Sequence, residues 1–505
     1  MIDNLRISRR TLLRAAALGT GLATAPYASA GVGSKPATAV PGALTPTTKG
    51  KVGISANSGI LWESTTSLNA SLAFMQAIGV TGIRIDIPWR WVEPTRGSFT
   101  WTVVDRVVDA ARARGMSVLG VLTSTPQWAA LGQSSNQQTR PAQIEDWTTF
   151  VSAAAQRYAG RVFAYEVWNE PNGSEYFAPH PDPIAYAALV RAAVTAIRQA
   201  DSQAHVLAGA LGPTPATNSG MIRAIEFFTA MLDAGVGDVD AYSFHPYDND
   251  QTMAQAAFWD DTAMRQAMAM HEILRLRGEG NKKIWATEYG APAALGDSRQ
   301  AELIVNGIQQ WSECSFTGPM YIHHHRDQVA GDSYGLATQN LAPRSAAYGV
   351  QGIHLQNAFR QHEAVVFESA ADPSLGAAVS PVYPIAGGYA QEHVNGTRFL
   401  GPTGWQSAPS DVAGVLRRAN RQPAGPFTGQ WQDVLFPEAP TGIGGRVFSS
   451  AAGAFLVVGS LLEAWHEALG FPTSAQREVN GAVVQDFVHG SLTWRPGVPV
   501  ATTWF

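Results

Sequence analysis

The stretch that decides the fold is Phe163-Ala164-Tyr165-Glu166-Val167-Trp168-Asn169-Glu170-Pro171-Asn172. It starts as an alternating apolar run typical of a β-strand and stops at a proline, which cannot donate a ladder hydrogen bond. An amide and a carboxylate, Asn169 and Glu170, therefore stand where a strand ends and a loop begins. A second run of the same design, Lys283-Ile284-Trp285-Ala286-Thr287-Glu288-Tyr289-Gly290, delivers Glu288.

Strand-like runs alternate with amphipathic, helix-like stretches between residues 51 and 360. Eight predicted strands that alternate with helices predict an α/β fold, a (β/α)8 TIM barrel. The alternative, a doubly wound sheet, would normally show a Gly-rich phosphate loop after its first strand, and the sequence has none there. The predicted strands are 52–56, 82–87, 117–123, 162–168, 204–210, 239–244, 283–287 and 320–325, and the predicted helices are 67–78, 102–114, 142–158, 183–199, 221–233, 254–277 and 299–312.

Polar and aromatic residues gather at the carboxyl ends of the predicted strands, where a TIM barrel carries its active site. The fifteen Trp and thirteen Tyr of the chain suit either a large core or sugar stacking. Their position at strand ends favours a sugar site. The candidate substrate-binding residues are Arg84, Trp128, Asn169, His245, Tyr247, His323 and His325.

The two glutamates suit one reaction class. Retaining glycoside hydrolysis uses two carboxyl groups ~5–5.5 Å apart, one as nucleophile and one as proton donor. If both strands belong to one barrel, Glu170 and Glu288 face the same mouth. Tyr247 and His245, at the end of the sixth strand, are expected near Glu288, where hydrogen bonds to its charged form would lower its pKa. Asn169 could bond a sugar hydroxyl.

We therefore predict a secreted retaining O-glycosidase with Glu170 as acid/base and Glu288 as nucleophile. Its substrate would be a poly- or oligosaccharide of a cell envelope or of plant type. The alternative is a carbohydrate-binding or cell-wall adhesion protein without catalysis. No cofactor is predicted.

Eight short motifs follow one another along the predicted barrel: GIRID (82–86), WVEP (91–94), GSFTW (97–101), TPQW (125–128), WNEPN (168–172), FHPY (244–247), TEYG (287–290) and SYGL (333–336). With them, residues 51–360 resemble clan A glycoside hydrolases, most closely family 39 (β-xylosidase-like) and next family 5 (cellulase-like). The resemblance implies Glu170 as acid/base and Glu288 as nucleophile. It implies Arg84, Asn169, His245 and Tyr247 as supporting site residues.

The chain departs from the family on the eighth strand, where members often carry a Trp that floors the subsite. Here the run is Tyr321-Ile322-His323-His324-His325. Three histidines suggest a metal, but successive strand residues point to opposite faces, so at most His323 and His325 share one. Two histidines without a third ligand make a poor zinc site. We therefore predict no metal and assign both histidines to sugar hydroxyls.

Charge and cysteine content exclude other classes. A net charge of −5 gives no reason to expect nucleic acid or an anionic membrane as a partner. One cysteine cannot form an internal disulfide. No stretch is long and apolar enough to predict a membrane span of ~20 residues.

The N-terminus resembles a twin-arginine export signal: Arg9-Arg10 precede a short apolar run, and Ala28-Ser29-Ala30 has the pattern of a cleavage site. Residues 1–30 are therefore predicted to be a signal peptide and residues 31–50, rich in Pro, Thr, Ala and Gly, a linker. The mature protein is expected to be secreted or associated with the cell wall.

Residues 361–505 form a region of different composition, rich in Gly and Pro, with a weak internal echo. Residues 391–397 align with residues 485–491, 94 positions later. The LGFP segment at 469–472, with the residues after it, resembles the LGFP repeat of actinobacterial cell-surface proteins. The resemblance implies a β-rich module that binds a cell-wall glycan or mycolate layer. The alternative is a β-rich flap that only supports the barrel.

Overall fold

The structure is a computed structural model. It describes residues 52–56, 58–214, 217, 220–329, 331–356, 372–386, 388–401, 404–436 and 443–505. The predicted signal peptide (1–30), the predicted linker (31–50) and the predicted domain boundary at 360 lie outside these residues. Within the described ranges, no helix has both the length and the apolar character needed to cross a bilayer.

Eight parallel strands close into a barrel in chain order. They are β1 (Val52–Ser55), β2 (Gly82–Pro88), β3 (Ser117–Thr123), β4 (Ala164–Val167), β5 (His205–Leu211), β6 (Ala241–Phe244), β7 (Lys283–Tyr289) and β8 (Thr317–His323). Gly53 of β1 pairs with Gly82 of β2 on one side and with Tyr321 of β8 on the other, which closes the barrel. The predicted TIM barrel is confirmed, and each predicted strand overlaps an observed one.

Helices follow the strands as the alternation requires. They are α1 (Thr65–Ala77), α2 (Trp89–Val92), α3 (Thr102–Arg112), α4 (Ile144–Arg157), α5 (Pro183–Ala200), α6 (Ala224–Ala234), α7 (Met253–Phe258), α8 (Ala263–Leu276), α9 (Asp297–Glu313) and α10 (Ser345–Gln356). The single helix predicted over 254–277 is divided into α7 and α8. The cause is an N-cap: the Thr262 hydroxyl accepts from the Arg265 N–H and starts a new helix.

One layer of the barrel interior is filled by buried side chains from six strands. A side chain on Gly53 would overlap the ring of Tyr321, so glycine is needed there for the tyrosine to fill the layer. Burying each large apolar side chain stabilises the fold by about 1.5–3 kcal/mol. The layer consists of Leu119, Ala164, Leu207, Ala241, Trp285 and Tyr321.

The C-terminal part of the described chain is built from antiparallel sheets, as the β-rich prediction required. The strands are β9 (Tyr383–Ile385), β10 (Gly388–His393), β11 (Gly396–Gly401), β12 (Gly404–Ala408), β13 (Trp431–Leu435), β14 (Ile443–Ser450), β15 (Gly453–Val458), β16 (Arg477–Val479), β17 (Ala482–Phe487), β18 (Gly490–Arg495) and β19 (Val498–Trp504). They form sheets in the orders β12-β11-β10-β9, β13-β14-β15 and β16-β17-β18-β19. Two helices accompany them, α11 (Ser410–Ala419) and α12 (Gly459–Ala464).

The described chain forms two compact units. One holds the barrel and its continuation to Pro384, with Gln391–Val394, and the other holds Ile385–Ala390 and Asn395–Phe505. Inside the barrel unit, Arg265 of α8 donates to both carboxylate oxygens of Glu392 at 2.9 and 2.6 Å. The barrel unit therefore includes residues that follow the eighth strand by some seventy positions.

The tail repeats one set of hydrogen bonds at the spacing of the sequence echo. Gln391 Nε2 donates to the Ser380 carbonyl at 3.2 Å, and Gln485 Nε2 donates to the Ser474 carbonyl at 3.0 Å. Each of these serine hydroxyls accepts from the backbone N–H twelve residues later. A third buried glutamine, Gln432, also donates to two carbonyls. The echo is thus a repeat of structure as well as of sequence.

The two residues that follow β8, His324 and His325, are buried histidines. His324 Nε2 lies 2.8 Å from Asp332 Oδ2, and His325 Nε2 lies 3.6 Å from Glu63 Oε1. Burial lowers the pKa of His324 to about 4, helped by the neighbouring His323 and His325 and opposed by Asp332 and Asp327. The folded protein therefore keeps this imidazole neutral at pH values where the unfolded chain protonates it.

Acidification should destabilise the protein through His324. Its folded pKa of about 4 lies below the ordinary 6.5, so between these values the unfolded state binds the extra proton and stability rises with pH. Replacing His324 with Gln should remove up to about 3 kcal/mol of the loss between pH 6.5 and 4. Urea unfolding at a series of pH values measures this. The exposed His180, replaced with Gln, is the control, and equal pH slopes for both variants would contradict the prediction.

Candidate functional site

A cavity of about 590 Å³ lies where the barrel strands end at their carboxyl side. This volume is in the range of pockets that enclose small ligands. The cavity collects side chains from strands that are far apart in the sequence. Among its lining residues are six of the predicted site residues: Arg84, Asn169, Glu170, Tyr247, Glu288 and His323.

The turn after β4 has an unusual backbone that delivers Asn169 and Glu170 to this cavity. Trp168 and Glu170 have positive φ angles of 67° and 45°, a region that is unfavourable for residues with side chains. Tertiary contacts hold the turn: the buried Trp168 indole donates to the Tyr176 carbonyl at 2.6 Å. The Glu170 N–H donates to the Ala210 carbonyl at 2.9 Å. The surrounding structure thus sets the direction of both side chains.

Asn172, the last residue of the motif, ties this turn to the loop after β5. Its buried amide donates to the carbonyls of Gly212 (2.9 Å) and Ile222 (3.1 Å) and accepts from the Gly212 N–H (2.9 Å). Gly212 in turn lies directly against the Glu170 carboxylate. A Cβ at this glycine would stand 3.1 Å from Glu170 Cδ and 3.2 Å from each oxygen. The position of Glu170 therefore depends on the absence of a side chain at 212.

Arg84 of β2 connects the base of the site. Its Nε donates to Glu166 at 2.7 Å, and its Nη1 donates to Glu288 at 2.5 Å and to Ser55 Oγ at 3.0 Å. Its Nη2 donates to Asn169 Oδ1 at 2.7 Å. Burial lowers the pKa of the guanidinium, but the charges of Glu166 and Glu288 outweigh burial and raise it. Arg84 is therefore a fixed cation that orients both a carboxylate and an amide of the cavity.

Glu288 is held in its ionised form. Burial raises the pKa of this carboxyl, but attraction to His245 and Arg84 and the hydrogen bond from the Tyr247 hydroxyl hold the pKa well below its usual range. That hydroxyl lies 2.9 Å from Oε2, while Arg84 occupies Oε1. The side chain is 11% exposed, so the charge faces the cavity with little water around it.

Glu170 and Glu288 lie close together across the cavity. The buried His245 Nδ1 is 2.9 Å from Glu170 Oε1 and 3.9 Å from Glu288 Oε2. Because one side of a triangle cannot exceed the sum of the other two, these two oxygens are at most about 6.8 Å apart. Two carboxylates at this separation, one of them tied to Arg84 and the other to a histidine, can act on one bond of a ligand between them.

Three of the predicted substrate-binding residues do not line the cavity: Trp128, His245 and His325. The Trp128 indole donates to the Glu93 carbonyl at 3.0 Å, and its ring packs under the Arg96 guanidinium. His325 is fully buried beside Glu63. Its assignment assumed that β8 continues, but the strand ends at His323, so the alternation that would place both histidines on one face ends as well.

The other two histidines approach the carboxylates. His323 Nδ1 lies 3.8 Å from Glu288 Oε2. Burial lowers the pKa of His323, which favours its neutral form. His245 does not line the cavity; it contacts Glu170 from behind. Among the described residues, no three His, Cys, Asp or Glu side chains are grouped so as to hold a metal ion.

Several cavity residues were outside the predicted set. Asp86 lines the cavity, and burial together with Glu288 and Glu166 raises its pKa to about 6 in spite of the nearby Arg84. The sequence contained a signal for it, because it follows Arg84 by two positions on β2 and so shares its face. Trp91 of α2 and Tyr334 also line the cavity, and both belong to quoted motifs, WVEP and SYGL, but neither was assigned to the site. The loop residues Gln137, Gln138 and Tyr176 gave no comparable signal.

Comparison with known proteins agrees with the barrel fold. The family model described as Cellulase (glycosyl hydrolase family 5) matches residues 45–317, more than half of the chain. A family 39 glycoside hydrolase from the gut symbiont Bacteroides cellulosilyticus WH2 is similar in fold, with 14% identity, a TM-score of 0.50, and coverage of 92% of this chain and 81% of its own. A monomeric β-xylosidase from Caulobacter crescentus CB15 is also similar, with 16% identity, a TM-score of 0.50, and coverage of 72% and 75%.

These findings confirm the clan predicted from the motifs. The family model extends over the barrel strands that carry Arg84, Glu170 and Glu288. The match does not include the tail, for which the LGFP resemblance remains a prediction. The chain therefore belongs to the cellulase family, glycosyl hydrolase family 5, whose members hydrolyse glycosidic bonds.

Proposed function

We propose that this protein hydrolyses the O-glycosidic bonds of a poly- or oligosaccharide with retention of anomeric configuration. The observation that carries the proposal is the pair Glu170 and Glu288: Oε1 of Glu170 and Oε2 of Glu288 are at most about 6.8 Å apart. Retaining enzymes hold their carboxyl groups ~5–5.5 Å apart, and inverting enzymes hold them ~6.5–9.5 Å apart to admit a water. An upper limit of about 6.8 Å admits every separation found in retaining enzymes and only the shortest separations found in inverting enzymes.

The roles follow from the surroundings of each carboxylate. Glu288, ionised because of Arg84, His245 and Tyr247, attacks the anomeric carbon as that carbon's bond to the leaving oxygen breaks. Glu170 gives its proton to that oxygen, so the leaving sugar departs as a neutral alcohol. The sugar is then held as an ester of Glu288.

Water completes the reaction in a second displacement. Glu170, now ionised, takes a proton from the water as the water oxygen attacks the anomeric carbon and the ester bond to Glu288 breaks. Both carboxyl groups return to their starting state. His245, 2.9 Å from Glu170 Oε1, keeps the acid/base group in place through both steps.

Asn169 has a supporting role in this scheme. Because its Oδ1 accepts from Arg84, its Nδ2 remains as the donor that a sugar hydroxyl can accept from. Such a bond can strengthen in the transition state and contribute to catalysis. Arg84 thereby aligns the nucleophile and the sugar-binding amide together.

Substitution of the two glutamates tests the proposal. Glu288→Gln should lower kcat by at least about 10³-fold, because no covalent ester can form. Glu170→Gln should lower kcat about 10²–10⁴-fold on natural glycans and much less on aryl glycosides, whose leaving groups need no proton. Kinetics on a glycan panel and NMR of the first product measure this. The exposed Glu175, replaced with Gln, is the control; full activity of Glu288→Gln, or an inverted product, would refute the mechanism.

The glycine beneath Glu170 offers a second test. Gly212→Ala would place a methyl group 3.1–3.2 Å from the carboxylate and should displace it from His245. A displacement near 1 Å costs about 10²-fold in rate, so kcat should fall between about tenfold and a hundredfold while the unfolding midpoint changes little. Gly173→Ala is the matched control, since its Cβ would meet no atom closer than 3.6 Å. Equal rates for both variants would show that 212 does not position Glu170.

For the tail, we propose that residues 361–505 hold the enzyme on a cell-wall glycan or mycolate layer. The support is the sequence resemblance of residues 469–472 and their surroundings, together with the repeated glutamine bonds, because repeats often present binding surfaces. The full chain should sediment with isolated mycolate-containing envelopes and much less with envelopes whose mycolates have been removed by mild alkali. Recovery of the protein in the supernatant from both preparations would contradict a wall-binding role.

A further inference from the structure

A row of cavity-lining residues runs along β2 from the reaction centre to the rim. Arg84, Asp86 and Pro88 alternate on the strand, so they share one face, and all three line the cavity. The row starts at the guanidinium that contacts Glu288 and ends where the strand ends. At about 3.3 Å per residue, four steps cover about 13 Å. The cavity wall therefore extends well beyond the length of one sugar ring.

An aromatic pair continues this row. Trp91, three residues after β2, also lines the cavity, and its ring lies 5.4 Å from that of Trp62, nearly at right angles to it. Trp62 ends the short 3-10 helix that follows β1. Both short helices follow the carboxyl ends of barrel strands, β1 and β2. The pair thus stands on the same face of the barrel as Glu170 and Glu288.

The exposure of this pair separates it from the tryptophans that build the core of the barrel unit. Trp62 is 53% exposed and Trp91 is 51% exposed, whereas five others are fully buried core residues. Single exposed aromatic residues are common on protein surfaces. Two in contact that continue the wall of a polar cavity form a broad apolar face next to hydrogen-bonding groups, which is the surface that a pyranose ring packs on. The buried five are Trp89, Trp147, Trp168, Trp285 and Trp311.

The charges along the row restrict the sugar. Glu170, Glu288 and Asp86 all line the cavity, while Arg84 is the one Arg or Lys among the described lining residues. Arg84 is already engaged by Glu166, Glu288 and Asn169. A carboxylated or sulfated sugar beside Asp86 would meet uncompensated negative charge at short range. Neutral sugars meet only hydrogen-bonding groups there.

We propose that Trp62 and Trp91 form an outer subsite that stacks a sugar ring of a neutral polysaccharide or oligosaccharide whose chain runs along β2 from Glu288. The inference rests on the proposed glycosidase function and adds the substrate class. The enzyme acts on chains of several sugars rather than on simple glycosides. The part of the chain at Trp62 and Trp91 contributes binding energy away from the bond that breaks.

Chain length is the variable that tests this subsite. The probes are cello-, xylo- and manno-oligosaccharides of two to six units, with the matching nitrophenyl monosaccharides. Trp91→Ala and Trp62→Ala should each lower kcat/KM about tenfold on the longest hydrolysed probe and less than twofold on the nitrophenyl compounds. Trp259→Ala, at a tryptophan that is 40% exposed elsewhere in the barrel unit, should change neither.

A loss of activity that is equal at all lengths, or no loss at any length, overturns the subsite while leaving the glycosidase intact. If the wild type hydrolyses none of the probes, the subsite is tested by binding instead. Calorimetry then measures the affinity of the Glu288→Gln protein for the three hexasaccharides. An affinity that Trp91→Ala lowers about tenfold supports the subsite without the catalytic proposal. Absence of binding, or binding that Trp91→Ala does not change, overturns the subsite.

Discussion

The buried guanidinium of Arg84 is the constraint on which the site depends. It lies on β2 and bonds Glu166 of β4, Glu288 of β7 and Ser55 of β1. A charge this deep would be strongly destabilising without partners, and two carboxylates without it would repel each other. The four strands are therefore bound to one arrangement at the end where the cavity opens. The same Arg84 bonds therefore hold the barrel strands together and align the side chains of the site.

From this fixed charge the two cavity glutamates acquire different surroundings. Glu288 receives Arg84 on one oxygen and the Tyr247 hydroxyl on the other, so its lone pairs are oriented and its negative charge is stabilised. Glu170 sits on a turn with positive φ angles and is bonded to His245 instead. Identical side chains can thus serve opposite purposes because the fold surrounds them differently. The strained turn is kept because Trp168 and Asn172 are buried and fully bonded around it.

Sequence reasoning reached the barrel and the two glutamates because both depend on local patterns. An apolar run that stops at a proline or a glycine shows where a strand ends, and a TIM barrel brings its strand ends together. It did not reach the partners of Arg84, which lie 82 and 204 positions away. It misplaced His325 because side chains alternate between two faces only as long as the strand continues, and β8 ends at His323. Where a strand ends is set by tertiary contacts, which the sequence does not display. It joined α7 to α8 because one threonine cap interrupts an otherwise continuous helical pattern.

The tail shows why the echo in its sequence is weak although its structure repeats closely. Gly376 and Gly470 both have a φ of 74° and end equivalent 3-10 helices, and buried glutamines follow each at the same distance. What recurs is a backbone conformation that favours glycine and an amide that satisfies buried carbonyls. The side chains between these points make none of these repeated bonds, so the repeat does not require their identity. A tetrapeptide signature can therefore be lost in one copy while the bonds that define the repeat persist.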